Sequence, residues 1–123
     1  MFSITKNSDH FILKFEGTSF DDNAIKQGYN LIFEHTRYQH FEYAICDLTQ
    51  VERLNLSREK MELMSASMLH IFNKNEQFQL YDVVPHKSVK QELSCCQEFL
   101  AQAGFKNLKI VETVQEISEL RKQ

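Results

Sequence analysis

An α/β fold with a mixed, mostly parallel sheet and a hairpin at its start is the class this sequence predicts, on three observations. Apolar and polar residues alternate with period two within the first fifteen positions, three later apolar runs at 43–46, 80–84 and 108–111 lack such alternation, and each gap between runs carries apolar residues at helical spacing. Alternation marks strands with one wet face, and short unbroken runs mark strands covered on both. A helix between two such strands returns the chain to the same end of the sheet, making them parallel with a right-handed crossover. The expected order is β-β-α-β-α-β-α-β-α, in one domain over residues 1–123.

Each element has its own signal. Phe2-Ser3-Ile4 and Phe11-Ile12-Leu13-Lys14-Phe15 flank the turn-formers Asn7-Ser8-Asp9, and Gly17 ends the second strand. Ser19, followed by Asp22, reads as the N-cap of a first helix whose stripe is Phe20, Ala24, Ile25, Tyr29, Ile32 and Phe33, reaching about Tyr38. Tyr43-Ala44-Ile45-Cys46, closed by Asp47, reads as a central strand. Ser57 precedes a second helix from 58 to about Asn73 with Met61, Met64, Met68, Ile71 and Phe72 on it. Leu80-Tyr81-Asp82-Val83-Val84 is a strand stopped by Pro85, whose ring cannot continue a central ladder. Val89, Leu93, Cys96, Leu100 and Ala103 form the stripe of a third helix closed by Gly104. After the strand Leu108-Lys109-Ile110-Val111, Thr113 and Glu116 make a capping box for a last short helix carrying Val114, Ile117 and Leu120.

Composition removes several function classes. The balance of 14 Lys and Arg against 17 Asp and Glu gives a net charge of −3, so no basic field exists to neutralise a phosphate backbone and nucleic acid is excluded as a partner. With 42% hydrophobic residues, 3 Gly and 1 Pro, a disordered chain is excluded as well. Cys46, Cys95 and Cys96 cannot all pair, which suits a reducing compartment, and residues 1–7 carry no apolar leader; a cytoplasmic location is expected. No apolar stretch approaches the roughly 20 residues of a membrane span. The 5 histidines and 3 cysteines show neither His-Glu-x-x-His nor Cys-x-x-Cys spacing, so neither a metal nor another cofactor is expected.

The element order, together with Ile45-Cys46-Asp47-Leu48-Thr49-Gln50-Val51 and the loop running on to Ser57, resembles the SpoIIAA-like, or STAS, family of anti-sigma-factor antagonists and related bacterial proteins. Asp47-Leu48-Thr49-Gln50-Val51 matches that family's Asp-Leu-Ser/Thr-x-Val loop. The following Asp-Ser-Ser-Gly signature is replaced: Asn55 stands at the Asp, Leu56 at the serine that the antagonists phosphorylate, Ser57 beside it, and Arg58 at the Gly. A closer likeness is to small bacterial proteins of STAS-like type that lack the Ser-Ser-Gly signature. What the resemblance implies is a regulatory, protein-binding module without enzymatic activity.

The candidate site residues lie along the edge where strand ends meet helix starts. Thr49, Asn55, Ser57 and Arg58 form the candidate regulatory or partner-binding loop, with Ser57 also suited to plain helix capping and Asn55 to a turn. Arg58, His86 and Lys87 form a candidate anion corner at two helix starts. Asp47 suits either a general base or, by its hydrogen-bonding habit, an acceptor for loop N–H groups. His35 and His40 flank the end of the first helix, where a cationic imidazole favours the dipole. Cys96 falls on an apolar stripe and reads as a packed thiol, since no basic neighbour activates the Cys95-Cys96 pair. Met64, Met68 and Phe72 give an adaptable apolar face for a partner, a second copy in a homodimer, or a small ligand, with Leu63 and Leu69 widening the arc.

Two functions follow from these residues. The first is a non-enzymatic regulatory or protein-interaction module that docks a partner through the loop before the second helix and through that helix. The second is a binder of a small apolar or anionic, lipid-like ligand, consistent with a likeness of the strand and helix order to lipid-carrier modules. No nucleophile with a legible base supports an enzyme.

Overall fold

In chain order the elements are β1 (Phe2–Lys6), β2 (His10–Phe15), β3 (Ser19–Asp21), α1 (Asp22–Tyr38), β4 (Tyr43–Asp47), β5 (Arg53–Asn55), α2 (Arg58–Phe72), β6 (Gln79–Val83), α3 (Lys87–Gln102), β7 (Leu108–Val111) and α4 (Val114–Arg121). The computed structural model describes residues 1–38, 41–72 and 77–122, with the side chains of 37, 38, 64, 67, 68 and 70–72 outside the description. Five strands form one sheet in the order β1-β2-β4-β6-β7. β1 and β2 are antiparallel, closed by the Asn7 N–H donating to the His10 carbonyl at 2.8 Å, and the three remaining pairings are parallel. The mixed, mostly parallel α/β sheet with its leading hairpin is therefore as the sequence predicts, and β4 is its central strand.

Why the later strands show no alternation is visible in their packing. On one face, Phe11, Leu13, Phe15, Ala44, Cys46, Leu80 and Leu108 pack against Ile25 and Ile32 of α1, Met61 of α2, and Val89, Leu93, Cys96 and Leu100 of α3. On the other, Ile45, Tyr81, Val83 and Val111 pack against Ile117 of α4. Both faces are dry in the middle of the sheet, so both parities are apolar. Gly28 lets α1 lie close to the sheet: a Cβ there would stand 2.7 Å from Cζ of Phe15. Gly104, with φ +107°, ends α3 in the left-handed region.

Several expectations are corrected. Ser19 is not the cap of α1 but a residue of β3, and Phe20 is buried from that strand rather than from the helix. The cap is Asp21, whose Oδ1 accepts from the Ala24 N–H at 3.0 Å. The reason is a second, two-stranded sheet that pairs β3 with β5 in parallel, seeded where the Thr18 carbonyl accepts from the N–H groups of Glu52 at 2.8 Å and Arg53 at 3.0 Å. Three-residue strands are too short to leave a periodic signal. Asn55, expected in a turn, closes β5 opposite Asp21. The ring of His35 sits 5.8 Å from that of Phe11, and burial, with Lys6 nearby, lowers its pKa and favours the neutral imidazole over the cation expected at a helix end. His40 lies outside the described residues. Ala103 is exposed as the C-cap of α3, and Val114 and Leu120 are exposed on α4, which buries Ile117.

Candidate functional site

Parallel strands deliver their carboxyl ends to one edge, and the structure ties the loops there together. The Leu48 N–H donates to the Val83 carbonyl at 3.0 Å and the Val84 N–H to the Val111 carbonyl at 2.7 Å, carrying the ladder one residue past each strand. Across the loops, the Ser88 hydroxyl donates to the Glu52 carbonyl at 3.4 Å and Lys90 lies 3.6 Å from Glu112. Segments 48–57, 84–88 and 112–113 thus share a common rim.

The conformation of the first of these loops follows from its own polar residues. Oδ1 of Asp47 accepts from both the backbone N–H of Thr49 at 3.0 Å and its hydroxyl at 2.6 Å, so the carboxylate braces the turn. Thr49 itself is exposed. Oγ of Ser57 accepts from the Lys60 N–H at 3.2 Å and so caps α2. The Ser57 N–H in turn donates to both carboxylate oxygens of Asp22, at 3.1 and 3.3 Å, fastening the start of α2 to that of α1. Arg58 is almost wholly exposed, its side chain at 92%, with Nε 3.6 Å from Glu62.

Two residues of the candidate anion corner, Arg58 and Lys87, line separate concavities, and His86 lines neither. Arg58 lines a groove of about 380 Å³ between α2 and α3. Lys87 lines a separate depression of about 370 Å³ with Pro85, Lys90 and Glu112. His86 is exposed at the N-cap position of α3, and its side chain accepts no hydrogen bond from the helix. No described hydrogen bond or ion pair joins Arg58 to His86 or Lys87. The physical reason is that α3 starts soon after β6, whereas α2 starts after the β5 excursion.

Of the apolar face, Met61 is buried and Leu69 is partly buried, while the side chains of Met64, Met68 and Phe72 lie outside the described residues. Cys95 is exposed, and Cys96 is buried with its Sγ 3.1 Å from Oγ of Ser65. Burial pushes the Cys96 thiol up to about 11, which leaves it protonated and a poor nucleophile.

The feature that sequence reasoning missed is Asp82. It is fully buried within β6, on the face covered by α1, α2 and α3. Oδ2 accepts from the Tyr29 hydroxyl at 3.4 Å, and Oδ1 has no hydrogen-bond partner among the described residues. Burial pushes this carboxyl from 3.8 up to about 7, against the opposing pull of Cys46 and Tyr29, which favour its charged form. Burial, and then the Asp82 charge, push the Tyr29 hydroxyl and the Cys46 thiol upward in turn. The signal available was a single acid inside the apolar run Leu80–Val84. Among the described residues no group of three or more His, Cys, Asp or Glu is placed to hold a metal ion. Among the described residues no helix is long and apolar enough to cross a membrane.

No family model and no curated protein matches the sequence. Solved structures do match its fold. The chain is similar to the anti-sigma factor antagonist SpoIIAA in its unphosphorylated form, with TM-score 0.55 and 11% identity over 99% of this chain and 97% of that one. It is also similar to the Bacillus cell fate determinant SpoIIAA in its phosphorylated form, with TM-score 0.51 and 11% identity over the whole of both chains. With its hairpin-led parallel sheet and its central strand ending in the Asp47-braced loop, the chain has the SpoIIAA-like, or STAS, fold.

Proposed function

We propose that this protein is a non-enzymatic regulatory module that docks a protein partner through the loop 49–58 and the exposed start of α2. One observation carries the reading: the Ser57 corner is exposed yet anchored through Asp22 to α1, with its loop held through Thr18 to the β3 segment and through Ser88 to α3. A surface fixed in advance loses little conformational entropy on binding. Thr49, Asn55, Ser57 and Arg58 are the contact residues of this proposal, and a negative charge at Ser57 would stand beside the Asp22 carboxylate that holds the Ser57 N–H, so that like-charge repulsion there changes the surface. The likeness to an anti-sigma factor antagonist supports the same class of role.

The test is capture of a partner by the tagged full chain. Asn55→Arg is expected to abolish capture, and Ser57→Glu to change affinity, while Lys109→Glu on β7 has no effect. Capture that survives Asn55→Arg overturns the docking surface; affinity indifferent to Ser57→Glu removes the switch and leaves the docking. Size-exclusion chromatography of the same samples separates a partner complex from a homodimer.

The alternative of a small apolar or anionic ligand walled by Met64, Met68 and Phe72 rests on side chains outside the described residues. The α2–α3 groove that is described carries Glu62, Glu92 and Glu98 against Arg58, a lining that repels an anion. Native mass spectrometry of unstripped protein tests it: bound mass beyond the chain supports a ligand, and a clean spectrum counts against one.

A further inference from the structure

We propose that the groove between α2 and α3 seats a basic amphipathic helix belonging to the protein partner. The proposal rests on the docking reading above and names the chemistry of what docks.

The shape is the first argument. At about 380 Å³ the groove is of the size that holds a ligand, but its lining runs along α3 from Glu92 to Gln102. That is about 15 Å at 1.5 Å per residue, a trough three turns long rather than a round cavity. An occupant of matching length is a helix with apolar anchors at i, i+3 or i+4, and i+7.

The floor is the second argument. Met61 and Cys96 are buried there, with Leu56 and Phe99 half-buried beside them. The polar atoms of the floor, Oγ of Ser65 and Sγ of Cys96, stand 3.1 Å apart and satisfy each other. The floor therefore asks for apolar contact and offers no polar group that a small polar ligand needs for orientation.

The rim is the third, and it fixes the sign of the partner. Glu92 and Glu98 on α3 and Glu62 on α2 face Arg58, the one Lys or Arg among the described lining residues, which lies 3.6 Å from Glu62. Excess acid along the α3 wall, with Glu62 balanced by Arg58 on the other, complements Lys or Arg flanking an apolar stripe and repels an acidic helix.

The probe is a fluorescein-labelled 15-residue helical peptide with Leu on one face and Lys on the others, titrated against the full chain by anisotropy, beside the same peptide with Glu in place of Lys. The Lys probe is expected to saturate, the Glu probe to bind at least about tenfold more weakly, and Glu92→Lys with Glu98→Lys to weaken the Lys probe at least about tenfold. Circular dichroism confirms that this variant folds. Glu34→Lys with Glu119→Lys makes the same change in net charge away from the groove and is expected to leave binding intact. Equal loss in that control, equal affinity for both probes, or no saturation overturns the groove. Failure of the probe while Asn55→Arg still abolishes partner capture overturns the groove alone and leaves the docking reading standing.

Discussion

Two aspartates on neighbouring strands, one register step apart, meet opposite fates. Asp47 ends β4 and pairs across the ladder with Val83, while Asp82 on β6 pairs with Cys46. Asp47 is half-exposed and its Oδ1 takes two donors from Thr49. Asp82 is fully buried and, among the described residues, has the Tyr29 hydroxyl as donor to Oδ2 at 3.4 Å and no hydrogen-bond partner for Oδ1. The pleat explains the difference. Successive side chains point to opposite faces, so a single step turns the carboxyl from a strand end that opens on the rim into the face that three helices cover. The same residue type is a loop brace in one place and a core liability in the other, and the surroundings alone decide which.

The largest expected effect follows from the buried member. Asp82 has a folded-state pKa of about 7 against 3.8 for an ordinary aspartate in water. Its folded pKa is raised, so the folded state holds the proton more tightly than the unfolded state. The stability this contributes is fully present below about pH 4, is lost progressively as pH rises towards 7, and changes no further above that. The total is about 4 kcal/mol, since each pKa unit is worth about 1.4 kcal/mol. Of the groups facing Asp82, Tyr29, Cys46 and Cys96 have pKa values raised by burial, so none of them ionises in this window. Asp82→Asn keeps an acceptor for the Tyr29 hydroxyl and cannot ionise. Urea unfolding from pH 4 to pH 8 should show the wild type losing stability relative to Asp82→Asn by several kcal/mol. Parallel curves would mean that burial does not hold the proton on Asp82 and would dissolve the contrast.

The same contrast explains what the sequence disclosed. Strand runs such as Tyr43–Cys46 and the stripe Val89, Leu93, Cys96 and Leu100 are legible because burial on a regular element repeats, and repetition is a signal in one dimension. The Asp47 brace was legible for the opposite reason: its partner Thr49 lies two residues away, within the range of local hydrogen-bonding habit. Asp82 meets Tyr29, 53 residues distant, and no local pattern encodes that encounter. β3 and β5 escaped for a related reason, since the bonds that make them strands join Thr18 to Glu52 and Arg53. On the rim, the cap by Ser57 could be read from its place before the helix, but its tie to Asp22 depends on the fold, as does the separation of Arg58 from Lys87.

Tyr29→Phe sharpens the comparison at the next scale. It removes the hydroxyl that donates to Oδ2 and leaves the carboxyl with poorer support inside the core. A buried hydrogen bond of this kind contributes about 1–2 kcal/mol, and more where its acceptor is charged. The loss is therefore expected to be larger at pH 8 than at pH 5, and the fall of stability with pH to extend further upward, because a donor that favoured the charged form is gone. A loss of equal size at both pH values would mean that the hydroxyl packs against Asp82 without sensing its charge.

The smallest effect belongs to the rim, and its smallness is the point. Thr49→Val removes the hydroxyl that donates to Asp47 at 2.6 Å, the shorter of that oxygen's two bonds, yet the Thr49 backbone N–H remains at 3.0 Å. Water reaches the loop and replaces the lost donor, so the cost should stay below about 1 kcal/mol, and Thr49→Ser should recover most of it. A short bond in an exposed turn is thus worth less than a long one in the core, because stability depends on what takes the place of a lost partner rather than on its distance. If Thr49→Val costs as much as Tyr29→Phe in side-by-side urea titrations, solvent access is not what separates the two aspartates. The rigidity of the braced loop then becomes the deciding variable, and amide hydrogen exchange across residues 48–53 would show it as protection lost throughout the segment.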